Sequence, residues 1–108
     1  MIYHKSTGEY KEMMPGIQRR NLVHGAQSQL CEFLLAKGAA IPEHRHPHEQ
    51  TGILHKGLLR LIIEGEAHEL GPGEAWSIPG DTPHAAEALA ESVVWEVFSP
   101  PREDYLED

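Results

Sequence analysis

Cysteine, long apolar runs and positive charge are all scarce in this chain. Cys31 is the only cysteine among 108 residues, so an internal disulfide is excluded and a reducing cytoplasm is the expected location. No apolar run approaches the roughly 20 residues that a membrane-spanning helix requires, and Met1 to Lys5 do not resemble a signal segment. Nine basic against seventeen acidic residues give a net charge of −8, whereas nucleic-acid binding requires a basic patch. We therefore expect neither nucleic acid nor a membrane as a partner.

The chain is rich in short strand-like segments. Turn residues, among them Gly71-Pro72-Gly73, separate apolar or alternating runs at 30–36, 51–56, 58–63, 66–70, 75–78, 84–88 and 92–98. Cys31 alternates with Phe33 and Leu35, which places it in the core. Many short strands with turns at near-regular spacing predict an all-β fold, either a sandwich or a barrel.

A length of 108 residues predicts a single domain that can bury a core of its own. The weakly patterned residues 1–25 are interpreted as an N-terminal arm, extended and with a turn at 13–17, followed by a first strand. Residues 26–99 are predicted to form the barrel. Residues 100–108 are predicted to form a C-terminal tail, in which a short helix is compatible with a proline near its start.

Four side chains are predicted to bind one divalent metal ion: His44, His46, Gln50 and His84. Side chains at positions i and i+2 of a strand leave the same face, so His44 and His46 would point together if both belong to one strand. Two imidazoles so placed can each approach an ion to about 2.0–2.1 Å. Gln50 would begin the next strand after Pro47, and His84 would come from a third strand. The alternative is that these histidines are solvated loop residues.

The proposed ligand set consists of neutral donors only. The ion would keep its full double charge, which favours a Lewis-acid role and the attraction of a carboxylate or carbonyl oxygen. Imidazole suits Zn, Ni, Fe or Cu, and an amide oxygen is also compatible with Mn. The sequence therefore predicts one divalent ion, Ni, Zn, Mn, Fe or Co, without selecting among them.

A second group of candidates lies near the C-terminus. Strict alternation in Val93–Phe98 puts Val94, Glu96 and Phe98 on one face. Glu96 either faces solvent or is a titratable group in an apolar wall, where desolvation would raise its pKa and suit acid–base chemistry. Arg102 is either a surface arginine or a bidentate clamp for a carboxylate.

Other basic side chains have weaker signals. Arg60, between Leu59 and Leu61, is a second candidate anion clamp. His48 either donates a hydrogen bond to a metal ligand or shuttles protons, or it is an exposed residue. The remaining histidines, at positions 4, 24, 55 and 68, are expected at the surface or an interface.

Two motifs in the chain resemble those of the cupins. Gly38-x5-His44-x-His46-x3-Gln50-x6-Gly57 resembles the first cupin motif, with glutamine where glutamate is usual. Gly73-x5-Pro79-x4-His84-x3-Ala88 resembles the second, with alanine where asparagine is common. The resemblance implies a double-stranded β-helix, a small jelly-roll-like barrel with the metal inside.

Within the cupins the chain is most similar to the KdgF family of pectin and alginate degradation. The similarity rests on His-x-His-Pro-His-Glu-Gln at 44–50 and on Glu96-Val-Phe98-Ser-Pro-Pro-Arg102-Glu-Asp-Tyr. It implies metal binding by three histidines and a glutamine, with Glu96, Phe98 and Arg102 completing a catalytic site. Glu96 departs from the family, which has aspartate there.

The resemblance also implies an activity and a mode of assembly. Members of the KdgF family linearise 4,5-unsaturated monouronates to the 4-deoxy-5-keto form, so a carboxylate-bearing sugar is the expected substrate. Small cupins commonly form homodimers, which is expected here. The alternatives are a cupin dioxygenase with the same ligands and a non-catalytic cupin that binds a small molecule or metal.

Overall fold

Ten β-strands and one short helix make up the computed structural model, which describes residues 1–4 and 9–106. Their order along the chain is β1 (Lys11–Met14), β2 (Ile17–His24), β3 (Gln29–Leu35), β4 (Ala40–His44), β5 (Glu49–Lys56), β6 (Leu59–Ile63), β7 (Glu66–Leu70), β8 (Ala75–Ile78), β9 (His84–Ala88), β10 (Ser92–Ser99) and α1 (Glu103–Leu106). In the described part of the chain, no helix is long and apolar enough to cross a membrane.

The strands form two antiparallel sheets. One has six strands in the order β1-β2-β3-β10-β5-β8, and the other has four in the order β4-β9-β6-β7. Tight turns set the registers. At the β6–β7 tip Glu64 and Gly65 both have positive φ, as the favoured two-residue hairpin turns require. The sequence-based prediction of an all-β fold is confirmed, and Glu66–Leu70, Ala75–Ile78 and His84–Ala88 are strands with the predicted ends.

The core lies between the sheets and is centred on the inner face of β10. Val94 and Phe98 are 3% and 1% exposed, and they pack in one apolar cluster with Phe33, Leu54 and the tail residue Tyr105. Cys31 is fully buried in the same cluster, as predicted. The alternation predicted for β10 is confirmed, and Glu96 points inward between these apolar side chains rather than to solvent.

The N-terminal region has the turn and the strand that the sequence predicts within residues 1–25, but part of the expected extended arm forms a further strand, β1. Residues 11–24 form a hairpin, and Pro15-Gly16 makes its turn. The eight-residue β2 lies second from the edge of the six-stranded sheet, between β1 and β3. The alternation is concealed because two of its buried positions are Arg19 and Arg20. Arg20 is neutralised by Glu32, with 2.8 Å between Nη2 and Oε1, so a charged side chain occupies a position where an apolar one would signal a strand.

Candidate metal centre and active site

The four proposed metal ligands come from both sheets. His44, the last residue of β4, is paired in register with His84, the first residue of β9. Gln50 lies near the start of β5 in the six-stranded sheet. The prediction that His46 continues the strand of His44 is wrong, since β4 ends at His44 and His46 lies in the connection to β5. Bends at Pro47 and His48 lie in this connection, which leads from the four-stranded sheet to β5 in the six-stranded one.

The three imidazole rings nevertheless converge. The ring centroids of His44 and His84 are 4.2 Å apart, those of His46 and His84 are 5.0 Å apart, and those of His44 and His46 are 5.6 Å apart. One ligand nitrogen from each ring lies within 4.8 Å of the others. Two donors bound to one ion at about 2.1 Å are at most about 4.2 Å apart, so the three nitrogens would have to move closer together by side-chain adjustment to bind one ion.

Backbone carbonyls fix which nitrogen of each ring faces the others. Nδ1 of His44 contacts the carbonyl of Pro42 at 2.9 Å, and Nδ1 of His84 contacts that of Thr82 at 2.8 Å. Nδ1 of His46 contacts the carbonyl of His48 at 3.1 Å. A carbonyl only accepts, so each Nδ1 carries the proton and each Nε2 presents a lone pair. Metal-binding histidines characteristically have this pattern of one donated and one free nitrogen.

Two further observations fit a cation at this point. Nε2 of His84 is buried and has no hydrogen-bond partner among the described residues, although a buried polar atom left unpaired costs about 1–3 kcal/mol. Nε2 of His46 lies 3.0 Å from Oε1 of Gln50. With the proton of His46 on Nδ1, these two atoms are both acceptors. A bound divalent ion would pair all these atoms.

Burial keeps two of the rings neutral. It lowers the pKa of His46, and repulsion from Arg102 and from a protonated His84 would lower it further, against the His48 carbonyl and the Gln50 side chain, which would favour a protonated ring. Burial also lowers the pKa of His84, against the hydrogen bond to Thr82. Neutral imidazole is the form that binds metal, so the environment favours the ligating state near neutral pH.

The two halves of the ligand set are held together by a close backbone contact. The amide of Asp81 donates to the carbonyl of His46 at 2.7 Å. Gly80 lies against Pro47 so closely that a Cβ at position 80 would collide with the Pro47 carbonyl oxygen. The turn before β9 and the connection after β4 therefore fit together only with glycine at this position.

Glu96 lies beside the metal-ligand candidates and is 9% exposed. Its Oε2 accepts hydrogen bonds from Nε2 of Gln50 and from the indole nitrogen of Trp76, the latter at 3.1 Å. Burial raises the pKa of Glu96, while the two hydrogen bonds and the charge of Arg102 partly oppose the rise. A carboxyl group with a raised pKa in a cavity can both accept and return a proton near neutral pH.

Arg102 reaches the same cavity from the tail. Its guanidinium lies 5.3 Å from the ring centroid of Phe98 and 4.1 Å from that of Tyr105. Nε and Nη2 both contact the carboxylate of Asp104, at 3.3 and 3.0 Å. The side chain of Arg102 is 16% exposed and that of Asp104 is 59% exposed. An internal carboxylate thus occupies the guanidinium fork that we predict to bind a substrate carboxylate.

A cavity of about 390 Å³ joins these groups. Its polar lining includes His44, Gln50, His84, Glu96 and Arg102, and its apolar lining includes Phe98, Met13, Met14, Ile41 and Leu61. Sequence reasoning missed Trp76, Asp104 and Tyr105, which also line it. For Asp104 and Tyr105 the signal was present in the C-terminal motif that carries Arg102. For Trp76 the sequence has no such signal, because its role depends on which strand lies beside β8.

Other candidates lie elsewhere. Arg60 points away from the cavity and pairs with Glu87 at 3.2 Å and Glu69 at 3.5 Å, so the prediction of a second anion clamp at this site is wrong. His48 is partly buried, 5.6 Å from His46 between ring centroids, with a buried Nδ1 that has no hydrogen-bond partner in the described chain. The four histidines expected at the surface, at positions 4, 24, 55 and 68, are exposed.

Comparison with known proteins agrees with this architecture. A family model described as a cupin domain matches residues 31–98. The pectin degradation protein KdgF of Dickeya dadantii (strain 3937) is 31% identical over 99 residues, which cover 90% of each chain. The solved structure of KdgF from Halomonas sp. matches with a TM-score of 0.92 and 32% identity over 96% of both chains.

A structure with lower sequence identity has the same fold. An RmlC-like cupin from Shewanella frigidimarina NCIMB 400 also has a TM-score of 0.92, at 23% identity, covering 96% of this chain and 94% of that one. At that identity the likeness concerns the fold alone. The family model matches most of the chain, and two KdgF proteins are more than 30% identical to it. The chain therefore belongs to the cupins and, among them, to the KdgF family.

Proposed function

We propose that this protein is a metal-dependent enzyme that opens the ring of a 4,5-unsaturated monouronate to give the linear 4-deoxy-5-keto uronate. Two relatives carry the name KdgF, and one of them is named a pectin degradation protein. The observation that carries the proposal is the placement of buried Glu96 and Arg102 in one cavity with His44 and His84, two of the three converging histidines. Such a site combines a cation-binding centre, a proton carrier and an anion clamp.

His44, His46, His84 and the Oε1 atom of Gln50 are the residues that would hold the ion. When bound, a divalent ion supplies Lewis-acid polarisation of a substrate oxygen and electrostatic stabilisation of negative charge on it. Because all four donors are neutral, none of that charge is cancelled by the protein ligands.

Glu96 is proposed to move the proton. In the ring opening, the C1 hydroxyl loses a proton, the bond between C1 and the ring oxygen breaks, and C1 becomes an aldehyde. The electron pair released forms an enolate at C5, and protonation at C4 leaves a ketone at C5. One proton is removed and one is returned, so no atoms are gained or lost. The two hydrogen bonds described above engage Oε2 of Glu96, and its Oε1 is proposed to exchange these protons with the substrate.

Arg102 and Phe98 are proposed to hold the sugar acid. Arg102 has a planar fork that matches a carboxylate in two parallel hydrogen bonds, and its stacking on Phe98 and Tyr105 limits the directions in which that fork can point. Phe98 would pack against the sugar face. The local guanidinium is needed because a net charge of −8 does not attract an anion from a distance.

The test is direct incubation of the metal-loaded protein with unsaturated galacturonate monomer while the enol-ether absorbance is followed. We expect its loss to be faster than in buffer. Glu96→Gln should reduce turnover by about 10²-fold or more when both proteins are compared at full metal occupancy. Glu87→Gln, the same change outside the cavity, should not reduce it. Absence of acceleration at full metal occupancy would overturn the proposal.

Two measurements separate this reaction from the alternative activities. Oxygen consumption with a candidate substrate would indicate a dioxygenase, and ring opening should proceed equally well without oxygen. If the unmodified protein and Glu96→Gln both bind the sugar and neither turns it over, the protein is a binding protein instead.

The assembly and location are proposed on the same basis. We propose a homodimer, since Ile53 and Val97 are 38% and 37% exposed on neighbouring strands of the six-stranded sheet. Sedimentation of the purified protein tests this. The lone Cys31 is compatible with a reducing cytoplasm, which we propose as the location.

A further inference from the structure

Three residues on adjacent strands form a row across the inner face of the six-stranded sheet. Glu96 of β10 is directly opposite Gly52 of β5, and Gly52 is directly opposite Trp76 of β8. Directly paired residues project on the same face of a sheet. Neighbouring strands are about 4.8 Å apart, so the indole has to span two strand spacings to contact Glu96.

Gly52 makes that span possible. A Cβ at position 52 would lie 2.6 Å from three atoms of the Trp76 indole, Cε2, Cζ2 and Nε1. The ring therefore lies directly over the glycine, in the space that any other residue would fill with its side chain. From there its N–H donates to Oε2 of Glu96 at 3.1 Å. A glycine in a central strand weakens the strand and often marks such a close approach.

The hydrogen bond from Trp76 is one step of a chain that ends at the proposed metal centre. Oε2 of Glu96, held by the indole, also accepts from Nε2 of Gln50. Because the nitrogen end of the amide is committed to Glu96, the oxygen end faces His46, with 3.0 Å between Oε1 and Nε2. An amide has only these two ends, and only the oxygen end has lone pairs for a metal. Its orientation therefore decides whether Gln50 is a ligand.

We propose that Trp76 is a positioning residue, which through Glu96 fixes the Gln50 amide with its oxygen toward the metal. The inference rests on the metal centre of the proposed function but not on the sugar reaction. Trp76 makes no contact with the ion in this scheme. Groups that orient a ligand typically change metal affinity or activity by about 10- to 100-fold when they are removed.

The test compares Trp76→Phe with the chain's other tryptophan. Trp76→Phe keeps an aromatic ring and removes the N–H. Trp95→Phe is the matched control, because Trp95 also donates its indole N–H to a buried glutamate, Glu32, at 2.8 Å, on the opposite face of the sheet. We expect Trp76→Phe to weaken Co²⁺ and Ni²⁺ binding by about 10-fold or more in calorimetric titration, and Trp95→Phe to leave the metal affinity unchanged.

A spectroscopic measurement distinguishes orientation from general loosening. The visible spectrum of the Co²⁺-loaded protein reports which atoms surround the ion, and it should change in Trp76→Phe but not in Trp95→Phe. Gly52→Ala displaces the indole without removing its N–H, so it should weaken metal binding in the same direction. It also keeps the inference testable if Trp76→Phe fails to fold.

Several outcomes would overturn the inference. One is that Trp76→Phe has the same metal affinity and the same Co²⁺ spectrum as the unmodified protein. A second is that both tryptophan variants lose affinity equally. A third is that the unmodified protein does not bind metal stoichiometrically. None of these measurements uses a sugar. Failure of the ring-opening reaction would therefore leave the inference standing, and the two proposals can fail separately.

Discussion

Replacing Glu32 with glutamine should cost this protein a large share of its stability, although Glu32 lies on the opposite face of the sheet from the cavity. The Glu32 carboxylate accepts hydrogen bonds from Tyr10, from Nε of Arg20 at 2.9 Å and from Trp95 at 2.8 Å. The side chains of Arg20 and Glu32 are 9% and 12% exposed. Glu32→Gln leaves the guanidinium of Arg20 buried without its counter-charge.

The magnitude follows from that burial. Breaking a buried ion pair on one side costs about 3–5 kcal/mol, whereas an exposed pair contributes about 0–1 kcal/mol. The pair between Arg60 and Glu87 is of the second kind, with side chains 40% and 43% exposed, so Glu87→Gln is the control. For a domain of this size, each kcal/mol shifts Tm by roughly 4 °C, and Glu32→Gln should lower Tm by about 12 °C or more.

The effect should also depend on pH. Burial alone would raise the pKa of Glu32, but the hydrogen bonds from Tyr10 and Trp95, together with the charge and hydrogen bond of Arg20, outweigh it and hold the pKa below its usual value. The unfolded chain therefore takes up the proton at a higher pH than the folded one does. The stabilisation is fully present above the ordinary pKa of about 4.3. It is lost as the pH falls through the lower folded value.

Urea denaturation of both variants at pH 7 and at successively lower pH measures these effects. We expect the free energy of unfolding of Glu32→Gln to be lower by about 3 kcal/mol at pH 7, and the gap to narrow on acidification. Replacing Arg20 and Glu32 together with methionine should cost less than either single change, because no buried charge is left unpaired. A loss in Glu32→Gln no greater than that in Glu87→Gln would refute the reasoning.

Three further predictions concern the proposed site. Gly80→Ala should weaken metal binding measured by calorimetry, because its Cβ collides with the Pro47 carbonyl and separates the two ligand-bearing segments; an unchanged affinity would contradict this. Asp104→Asn should lower KM for the sugar acid by a few-fold at a nearly constant kcat, because it frees the fork of Arg102; a raised KM would show that Asp104 supports the guanidinium instead. Free metal at 100 times its Kd should stabilise the protein by about 2.7 kcal/mol in thermal melts, and His84→Ala should abolish most of that gain.

The strands from β3 onward could be predicted from the sequence because turn residues mark their ends. Gly38, Gly57 and Gly73 have positive φ at the ends of predicted segments, and their lack of a side chain is visible in the sequence. The first strand expected within residues 1–25 could not be given bounds, because the alternation of β2 is carried partly by buried arginines. Side-chain chemistry alone does not reveal that an arginine has a buried partner on the neighbouring strand.

The site was predictable in its residues more than in its geometry. Alternation groups Glu96 with Phe98, and a histidine cluster suggests convergence. Alternation does not tell which face is inside, and for this reason Arg60 was placed at the site although it lies outside. The contact of Trp76 depends on the pairing of β8 with β5, a long-range register that no local pattern encodes.

The proposed metal ligands belong to two different sheets, and this has a mechanical consequence. His44 and His84 belong to the four-stranded sheet and Gln50 to the six-stranded one, and no hydrogen-bonded strand ladder joins these two sheets in the described chain. A bound ion would therefore act as a removable cross-link between two layers that otherwise adhere mainly through side-chain packing, with the backbone contact between Asp81 and His46 nearby. Chelation would release that end of the sandwich first. Protection of backbone amides against exchange should then fall near the metal while the far end stays closed.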